Sequence, residues 1–321
     1  MSNGAEPMPQ WAVSNGIAPP PFKLPLPDNP DIITANMMKM TELTLDPRKR
    51  FLWQTITKYL HEFIRETKLT TKEWEEAIKF LTRVGQKCTS TRQEFILLSD
   101  IFGASALVDA LNNPPTGATE SSVLGPFFTD DAPDLMNGDS IASEGKGEYM
   151  FVEGRVLSID GTPIPNATIE TWETDDTGYY DVQYSGRETA DCRGRLHSDK
   201  NGYYGYRAVV PVAYPIPGDG PVGELLIGMN RHNMRPNHLH CMVVATGFRT
   251  LVTAFYPEGC KYIESDAVFG VKKSLVVGLE TVKDEGEARK RGFPTGDTFK
   301  LLKQDLILIP EKQSSEFFAR I

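Results

Sequence analysis

Two histidines separated by one residue are the clearest sign of chemistry in this sequence. The chain contains five histidines, and two of them, His238 and His240, share one His-x-His segment that follows Arg235 and Pro236. Alternate residues of a β-strand point to the same side, so the two imidazoles are directed at one point. Imidazoles in this arrangement are typical metal ligands, and zinc, iron(II) and iron(III) sites all use them.

A metal held by two histidines needs further ligands, and two kinds of side chain compete for that role. The nearest acidic residues, Asp219 and Glu224, lie in no recognisable pattern, whereas Tyr214 lies in a proline-bounded segment and Tyr180 follows a turn. A bound cation favours the phenolate form of tyrosine, and anionic oxygen suits iron(III) better than zinc. Other tyrosines have similar surroundings, so spacing alone leaves the choice open: Tyr179, Tyr203 and Tyr204.

Helical patterns lie on the N-terminal side of these residues. Asp46-Pro47 gives an N-cap and a first-turn proline for a helix to about residue 67, and Thr70 with Glu73 forms a capping box for a helix to about residue 87. A third helix should end near residue 112, and its capping pair is Ser90 with Gln93 or Thr91 with Glu94.

Composition divides the chain into three regions. Residues 1–45 form a proline-rich tail, predicted to be extended over about the first 35 residues; residues 46–113 are helical; residues 114–321 carry short strand-like segments between turn residues. The spacing of these segments predicts a mainly β domain built as an antiparallel β-sandwich, and the candidate ligands lie within it. The predicted strands cover residues 149–157, 167–171, 205–210, 238–244, 249–255 and 300–309.

The bulk properties exclude several classes of function. A net charge of −9 argues against nucleic acid and anionic membranes as partners, because both require a basic face. The four cysteines form no C-x-x-C pair, which argues against a zinc ribbon. No apolar run approaches the ~18 residues of a membrane span, and the first residues do not resemble a signal peptide. A reducing, cytoplasmic location is expected.

Six segments between residues 93 and 277 add motifs to the candidate ligands. They are LLSD at 97–100, TESSVLGPFF at 119–128, GYYDVQ at 178–183, YPIPGDGPVG at 214–223, HLH at 238–240 and SDAVFG at 265–270. Together they resemble the intradiol ring-cleavage dioxygenases and, within that family, the branch that acts on hydroxyquinol. The resemblance implies a non-haem Fe(III) centre with Tyr180, His238 and His240 as permanent ligands and Tyr214 as the ligand that the substrate displaces.

The resemblance also implies a substrate and its surroundings. Arg235 would lie beside an aromatic diol or triol, which reacts with O2, and would stabilise charge that develops on it. Six residues would line the ring pocket: Leu97, Asp100, Val123, Gly125, Cys241 and Val268. Asp100 would accept a hydrogen bond from a third ring hydroxyl and so disfavour catechol. Hydroxyquinol, which would yield 3-hydroxy-cis,cis-muconate or maleylacetate, is therefore favoured over catechol, which would yield cis,cis-muconate.

Further expectations concern assembly and a departure from the family. The resemblance implies that residues 46–113 form a helical dimerisation domain of a homodimer, with a phospholipid in the interface. Some relatives carry a glutamine where this chain has Ala254, so no polar role is carried over to that position.

Two rival interpretations are a non-catalytic transthyretin-like binding module and a cupin-type iron(II) or zinc enzyme. The first gives the His-x-His segment no role, and the second requires a carboxylate or a third histidine.

Overall fold

The computed structural model describes residues 14–89, 92–113, 117–293 and 298–318. Its contacts divide the chain into two compact units, Met1–Lys79 and Phe80–Ile321. The first unit holds α1 (Pro30–Thr41), α2 (Pro47–Thr67) and the beginning of α3 (Thr71–Lys87). No helix in the described ranges is both long and apolar enough to cross a membrane.

Helix α1 corrects the last part of the predicted extended tail, because it begins at Pro30, whereas residues 14–29 contain no helix or strand. The side chain of Asn29 accepts hydrogen bonds from the backbone N–H groups of Asp31 and Ile32, and Pro30 occupies the first helical position. Proline content suggested extended chain, but proline is also favoured in the first turn of a helix. The Asn-Pro pair at residues 29–30 is therefore the same start signal as the Asp-Pro pair that opens α2.

The predicted starts of α2 and α3 are confirmed by their caps. The Asp46 carboxylate accepts the backbone N–H of Lys49 at 2.9 Å. The Glu73 carboxylate accepts the backbone N–H of Thr70 at 2.8 Å, and the Thr70 hydroxyl accepts the N–H of Glu73 at 3.3 Å. These bonds satisfy N–H groups that have no partner within the helix.

The predicted third helix is in fact two helices, α4 (Glu94–Ile101) and α5 (Ala104–Leu111). Gly103 lies between them with φ +70°, a left-handed conformation that ends the hydrogen-bonding pattern of α4. A Cβ atom at this position would also lie 3.3 Å from the ring of Phe269. The proposed capping residues Ser90 and Thr91 lie outside the described residues.

The second unit contains the strands and three further helices. The helices are α6 (Pro221–Gly228), α7 (Glu285–Lys290) and α8 (Glu311–Phe318). The strands are β1 (Tyr149–Ser158), β2 (Thr168–Glu173), β3 (Arg193–His197), β4 (Tyr203–Val209), β5 (Tyr214–Pro215), β6 (Met234–Arg235), β7 (Leu239–Val244), β8 (Leu251–Pro257), β9 (Val276–Val277), β10 (Glu280–Lys283), β11 (Thr298–Lys303) and β12 (Leu306–Leu308).

The strands form two five-stranded sheets and one short pair. One sheet has the order β10-β11-β1-β12, with β4 also paired to β1; the second has the order β3-β2-β7-β8-β9; and β5 pairs with β6. The prediction of purely antiparallel sheets is wrong, because β1 pairs in parallel with β11 and β12, and β8 pairs in parallel with β9. Side-chain alternation shows which face of a strand is buried but not the direction of its neighbour.

One apolar cluster takes side chains from both five-stranded sheets. It includes Met150, Val152 and Val156 of β1, Tyr204 and Tyr206 of β4, Ile169 of β2, and Leu239, Cys241 and Val243 of β7. Because alternate residues of β7 point to opposite sides, His240 projects away from the side chains of Leu239 and Cys241. The sheet order thus separates an apolar core on one side of β7 from a polar centre on the other.

Candidate metal centre

Four side chains bring their donor atoms together beside the start of β7. The Tyr180 Oη lies 3.4 Å from the Tyr214 Oη and 3.3 Å from the His238 Nε2. The His238 Nε2 lies 3.5 Å from the Tyr214 Oη and 3.1 Å from the His240 Nε2. All four residues are 3% exposed or less. The structure therefore brings together the two tyrosines and two histidines that the sequence analysis selected.

Short local structures position each of the four. The β5–β6 pair places Tyr214 opposite Arg235, and the chain then turns through Pro236 into β7. Tyr180 precedes a 3-10 helix at Asp181–Gln183, and its backbone N–H donates to the side-chain oxygen of Gln183 at 2.9 Å. The turn glycine before it, Gly178, has φ +83°, and a Cβ atom there would lie 3.3 Å from the Cβ of Tyr214.

Burial keeps both histidines neutral. The pKa of His238 and that of His240 lie well below the ordinary value, first because burial disfavours the charged ring and then because Arg235 is close. The His238 Nδ1 lies 2.7 Å from the carbonyl oxygen of Pro236, which can only accept, so the proton is on Nδ1. The Nε2 lone pair of His238 therefore faces the other donors, as a metal ligand requires.

The phenol of Tyr180 requires a cation to ionise. Burial raises its pKa well above the ordinary value, and the neighbouring Tyr214 adds to this effect. A metal ion at bonding distance reverses that preference, because it stabilises the phenolate. Buried lone pairs that face one another without a cation are unfavourable, so this donor set fits a metal with a preference for anionic oxygen and imidazole nitrogen.

The spacing of the donors also fits a shared metal. Ligands bound to one first-row metal ion at roughly 2.0–2.2 Å lie about 3 Å from one another, close to the observed 3.1–3.5 Å. Within the described ranges, no group of three or more histidine, cysteine, aspartate or glutamate side chains is arranged to hold a metal. A cupin-type or zinc site lacks its required ligands in this part of the chain, whereas the tyrosines complete a mixed set.

Aromatic rings surround the donors and exclude water. Phe127 stacks on Tyr180 with ring centroids 4.5 Å apart, and Trp172 stacks on His240 at 4.8 Å with an interplanar angle of 7°. The stacked Trp172 fixes the orientation of the His240 ring. Among the described residues, the Nδ1 of His240 has no hydrogen-bond partner, so the packed rings rather than a second hydrogen bond hold this imidazole.

The predicted catalytic Arg235 lies against the donors, and its side chain is almost fully buried. Its Nη1 lies 3.2 Å from the His238 Nε2. On the other side, its Nε and Nη2 donate to the Asp266 carboxylate at 3.3 and 3.4 Å, and Nη2 donates to the Tyr256 hydroxyl at 3.1 Å. A carboxylate thus balances the buried charge, and one end of the guanidinium faces the metal centre.

An ion pair next to Tyr180 connects the segment that carries Tyr180 to the phenylalanine that stacks on its ring. Arg193 is 2% exposed and donates from Nε to both carboxylate oxygens of Asp181, at 3.0 and 2.9 Å. The same guanidinium donates from Nη1 to the backbone carbonyl of Phe127 at 3.1 Å. One arginine therefore connects the residue that follows Tyr180 to the residue that stacks on its ring.

The predicted pocket residues other than Cys241 lie in one apolar cluster, beside His240 or within the electrostatic range of Arg235. Leu97, Val123 and Val268 belong to one apolar cluster with Ile216 and Ala267. A Cβ atom at Gly125, which has φ +75°, would lie 3.6 Å from the His240 Nε2. Burial raises the pKa of Asp100, while Ser105 and Arg235 oppose that effect. Asp100 therefore lies within the electrostatic range of Arg235, on the same helix as Leu97.

Cys241 is the predicted pocket residue that the structure places elsewhere. It follows His240 on β7 and points to the opposite side, where its thiol lies 4.0 Å from the Thr171 hydroxyl. That hydroxyl lies 3.0 Å from the Tyr206 hydroxyl of the opposing sheet. Burial raises the pKa of Cys241 to about 12, so the thiol is an inert core group. Ala254, directly opposite His240 on β8, is fully buried.

Sequence reasoning overlooked the residues that support Arg235. Tyr256 was not selected, and Ser122, Asp266 and Gly270 appeared only as parts of longer motifs. The Asp266 carboxylate accepts the backbone N–H of Gly270 at 2.9 Å, and the Ser122 hydroxyl donates to the Gly270 carbonyl at 2.9 Å. The available signal was the motif SDAVFG. Its aspartate, Asp266, bonds Arg235, and its glycine, Gly270, bonds Asp266 and Ser122.

Comparisons with known proteins identify the family of this chain and several relatives. The family described as Dioxygenase matches residues 123–296, and the family described as Catechol dioxygenase N terminus matches residues 46–119. A hydroxyquinol 1,2-dioxygenase of Rhizobium sp. is 49% identical over 253 residues, which cover 78% of this chain and 86% of the relative. The intradiol ring-cleavage dioxygenase hqdA of Aspergillus niger is 43% identical over 305 residues, or 94% of this chain and 92% of the relative.

A solved structure has the same fold. The hydroxyquinol 1,2-dioxygenase of Pseudomonas putida superimposes with a TM-score of 0.81 at 42% sequence identity. The match covers 88% of this chain and 98% of that structure. The similarity therefore extends over both the helical region and the β-rich region.

Proposed function

This chain belongs to the intradiol ring-cleavage dioxygenase family, and from that premise we propose that it opens hydroxyquinol with O2 between the two adjacent hydroxylated carbons, at a non-haem Fe(III) centre. The observation that carries this proposal is the convergence of two phenols and two neutral imidazoles at 3.1–3.5 Å. Catechol is the second candidate substrate, because it presents the same pair of hydroxyl groups.

The proposed metal ligands are Tyr180, Tyr214, His238 and His240. When bound, Fe(III) supplies Lewis acidity and orients the chelated diol for its reaction with O2. The protein contributes the aromatic rings that stack on Tyr180 and His240, and all four donor residues are buried. Two phenolates offset two of the three positive charges, which favours the ferric state over the ferrous state.

We infer that Tyr214 is the exchangeable ligand and Tyr180 the permanent one. Tyr180 is held through its own backbone by Gln183 and through the adjacent Asp181 by Arg193. Tyr214 lies on a strand of two residues between proline-rich turns. When the diol binds, the released phenolate of Tyr214 can accept a proton from a substrate hydroxyl, so the same oxygen would act first as a ligand and then as a base.

The structure supports a catalytic role for the free end of Arg235. Among the described residues, its Nε and Nη2 have acceptors in Asp266 and Tyr256, whereas the partner of Nη1 is the His238 Nε2. Once the lone pair of His238 is bound to a metal, the Nη1 hydrogens need another acceptor, because an unpaired buried donor is costly. A substrate oxygen beside the metal would provide it, and the fixed positive charge would stabilise negative charge that develops there.

Substrate choice is assigned to Asp100. A carboxyl group in a half-buried position near Leu97 can bond a third ring hydroxyl, and catechol would leave that group without a partner. The variant Asp100→Ala is expected to lower the ratio of kcat/KM for hydroxyquinol over catechol by about 10-fold, since such an interaction contributes about 1–3 kcal/mol. Asp100→Asn retains a hydrogen-bonding group and serves as the control. An unchanged ratio in Asp100→Ala would remove Asp100 from substrate recognition.

The experiment that tests the ferric centre is a visible absorption spectrum of the purified protein under anaerobic conditions. A broad phenolate-to-iron(III) band is expected, and it should shift when hydroxyquinol or catechol is added. A colourless protein with stoichiometric metal would indicate zinc or iron(II) and would contradict the ligand set. A metal-free protein that fails to take up iron would instead favour a transthyretin-like binding module.

For the architecture we propose a β-sandwich catalytic domain and a homodimer formed by the N-terminal helices. The cluster shared by the two five-stranded sheets supports the sandwich. Helix α2 supports the dimer, because eight of its large apolar side chains are exposed: Phe51, Leu52, Trp53, Ile56, Tyr59, Leu60, Phe63 and Ile64. Such a surface is typical of a protein interface or of a site for an acyl chain, which agrees with the proposed phospholipid.

The dimer is tested by sedimentation velocity. The protein is expected to sediment as a species of twice the chain mass of 35.7 kDa at micromolar concentration. The paired charge substitution Ile56→Glu with Leu60→Glu should shift it to the monomer, because it places charges on the apolar face of α2. A wild-type monomer at that concentration would contradict the assignment, and lipid extraction with mass spectrometry tests the phospholipid.

The proposed location is a reducing cytoplasm. The four cysteines all lie within the described residues and carry free thiols, and two of them are buried. A protein of this size that folds without disulfides is typical of reducing compartments. Recovery of the protein in a membrane or secreted fraction of its own cells would contradict this location.

A further inference from the structure

The Nε and Nη2 atoms of Arg235 make three hydrogen bonds. Two go to Asp266, and the third goes to Tyr256, a residue without an assigned role. The Asp266 contacts are long, at 3.3 and 3.4 Å, and the same carboxylate also accepts backbone N–H groups from Val268 and Gly270. The Tyr256 hydroxyl receives the shortest of these arginine bonds, at 3.1 Å. Tyr256 is fully buried, so no water can easily replace its hydroxyl.

The direction of the hydrogen bonds around Tyr256 follows from its neighbours. The Ser122 hydroxyl donates its proton to the carbonyl of Gly270 at 2.9 Å. It lies 3.3 Å from the Tyr256 oxygen and can therefore only accept from Tyr256. Because a guanidinium can only donate, the bonds run from Arg235 to Tyr256, from Tyr256 to Ser122, and from Ser122 to Gly270.

The backbone of Gly270 closes this arrangement on one side. A Cβ atom on Gly270 would lie 2.8 Å from the Arg235 Nη2 and 3.1 Å from the Tyr256 oxygen. The guanidinium and the phenol thus contact a bare backbone, and the carbonyl of that same residue ends the series of hydrogen bonds. The arrangement restricts the movement of Nη2, so Nη1 keeps its direction toward the donors.

We propose that Tyr256 is a positioning residue for the ring-cleavage reaction: its hydroxyl, fixed by Ser122, holds the Arg235 guanidinium so that Nη1 faces the substrate beside the metal. This inference rests on the proposed function of the site. Asp266 balances the charge of Arg235, whereas Tyr256 fixes its rotation. Errors of about 1 Å in the placement of a catalytic group can lower a rate by about 100-fold.

The test is Tyr256→Phe, compared with the matched variant Tyr204→Phe. Tyr204 is also fully buried, and its hydroxyl donates to the backbone carbonyl of Gln304 at 2.7 Å within the core between the sheets. Both variants remove one buried hydroxyl, but only Tyr256→Phe releases Arg235. In Tyr256→Phe, kcat is expected to fall by about 10- to 100-fold, with iron content, melting temperature and anaerobic diol affinity equal to those of Tyr204→Phe.

Two results would overturn the inference. One is a kcat for Tyr256→Phe equal to that of Tyr204→Phe. The other is a loss of iron or of stability in Tyr256→Phe, beyond that of Tyr204→Phe, that accounts for the whole loss of activity, since that would show a purely structural role. Ser122→Ala removes the acceptor of the Tyr256 proton, and it is expected to lower kcat less than Tyr256→Phe does.

A second readout keeps this inference separate from the proposed function. Wild-type protein that turns over neither hydroxyquinol nor catechol would refute the function. Crystal structures of the two variants would then decide the inference without any assay. The Arg235 guanidinium is expected to leave its position beside His238 in Tyr256→Phe and to keep it in Tyr204→Phe. An unmoved guanidinium in both variants would contradict the role of Tyr256.

Discussion

Replacing Tyr180 with phenylalanine is expected to remove most of the bound iron and to lower kcat/KM by at least about 1,000-fold. The variant removes an anionic oxygen from a buried site. The Nε2 atoms of His238 and His240, 3.1 Å apart, are then accompanied by one phenol instead of two. Loss of a ligand lowers metal affinity more than loss of an outer hydrogen bond, which typically lowers it 10- to 100-fold. Any iron that remains should lose much of its phenolate-to-iron(III) absorption.

The measurements are iron per chain, the visible spectrum and turnover of hydroxyquinol. Tyr204→Phe again serves as the control, because it removes a buried phenol oxygen that bonds the Gln304 carbonyl and no proposed ligand. It should keep its iron and its colour. Wild-type iron content together with wild-type turnover in Tyr180→Phe would show that Tyr180 is not a ligand, and attention would return to the other tyrosines of the same turn.

The second large effect is expected on stability. Asp181→Asn leaves Arg193, which is 2% exposed, without its anionic partner. Breaking a buried ion pair from one side typically costs about 3–5 kcal/mol, because the remaining charge stays buried and uncompensated. The free energy of unfolding should fall by that amount in urea at neutral pH. Both proteins should be measured with the same metal content, since bound metal adds stability of its own.

Asp131→Asn is the matched control for this variant. Asp131 pairs with Arg187 on the same network, but its side chain is 49% exposed, so the expected loss is below about 1 kcal/mol. Equal losses of unfolding free energy in the two variants would show that the buried pair contributes no more than the exposed one. A large loss in Asp181→Asn should also reduce iron retention, since Arg193 bonds the carbonyl of Phe127, whose ring stacks on Tyr180.

The Asp181 carboxylate also predicts how the free energy of unfolding depends on pH. Burial alone would raise the pKa of Asp181, but Arg193 and Arg187 outweigh burial and hold the pKa below its usual range. A lowered pKa means that the contribution of Asp181 is present above the ordinary aspartate value near 4 and is lost as the pH falls further. Asp181→Asn should therefore lose less stability on acidification than the wild type, which unfolding curves between pH 3 and 7 would show.

Local rules predicted the parts of the structure that depend on neighbouring residues. The alternation of a strand places the imidazoles of His238 and His240 on one side of β7, and the same rule places Cys241 on the other. Its assignment to the ring pocket was therefore avoidable from the sequence alone. Asn29-Pro30 was equally readable as a helix start, because it is the same signal as Asp46-Pro47.

Other features depend on contacts that the sequence does not encode locally. Arg235 contacts Tyr256 and Asp266 across separations of 21 and 31 residues, and no spacing rule connects them. Turn geometry did not distinguish Tyr180 from its neighbours; family resemblance selected it, and the structure then placed its oxygen beside His238. The parallel direction of β11 and β12 was not predictable from alternation, which is the same for either direction.

The pairing of β1 with β11 and β12 also determines when folding can be completed during synthesis. The backbone N–H of Arg155 on β1 donates to the Asp305 side chain, 150 positions later in the chain, so the five-stranded sheet that contains β1 waits for strands that are translated near the end. Contacts between residues so far apart in the sequence form slowly, and apolar surface stays exposed until they form. The proposed metal ligands, which lie between residues 180 and 240, leave the ribosome before that sheet is complete. We therefore expect iron loading to be a late event, and a nascent chain that stops before β11 would present an open sheet edge to chaperones and proteases.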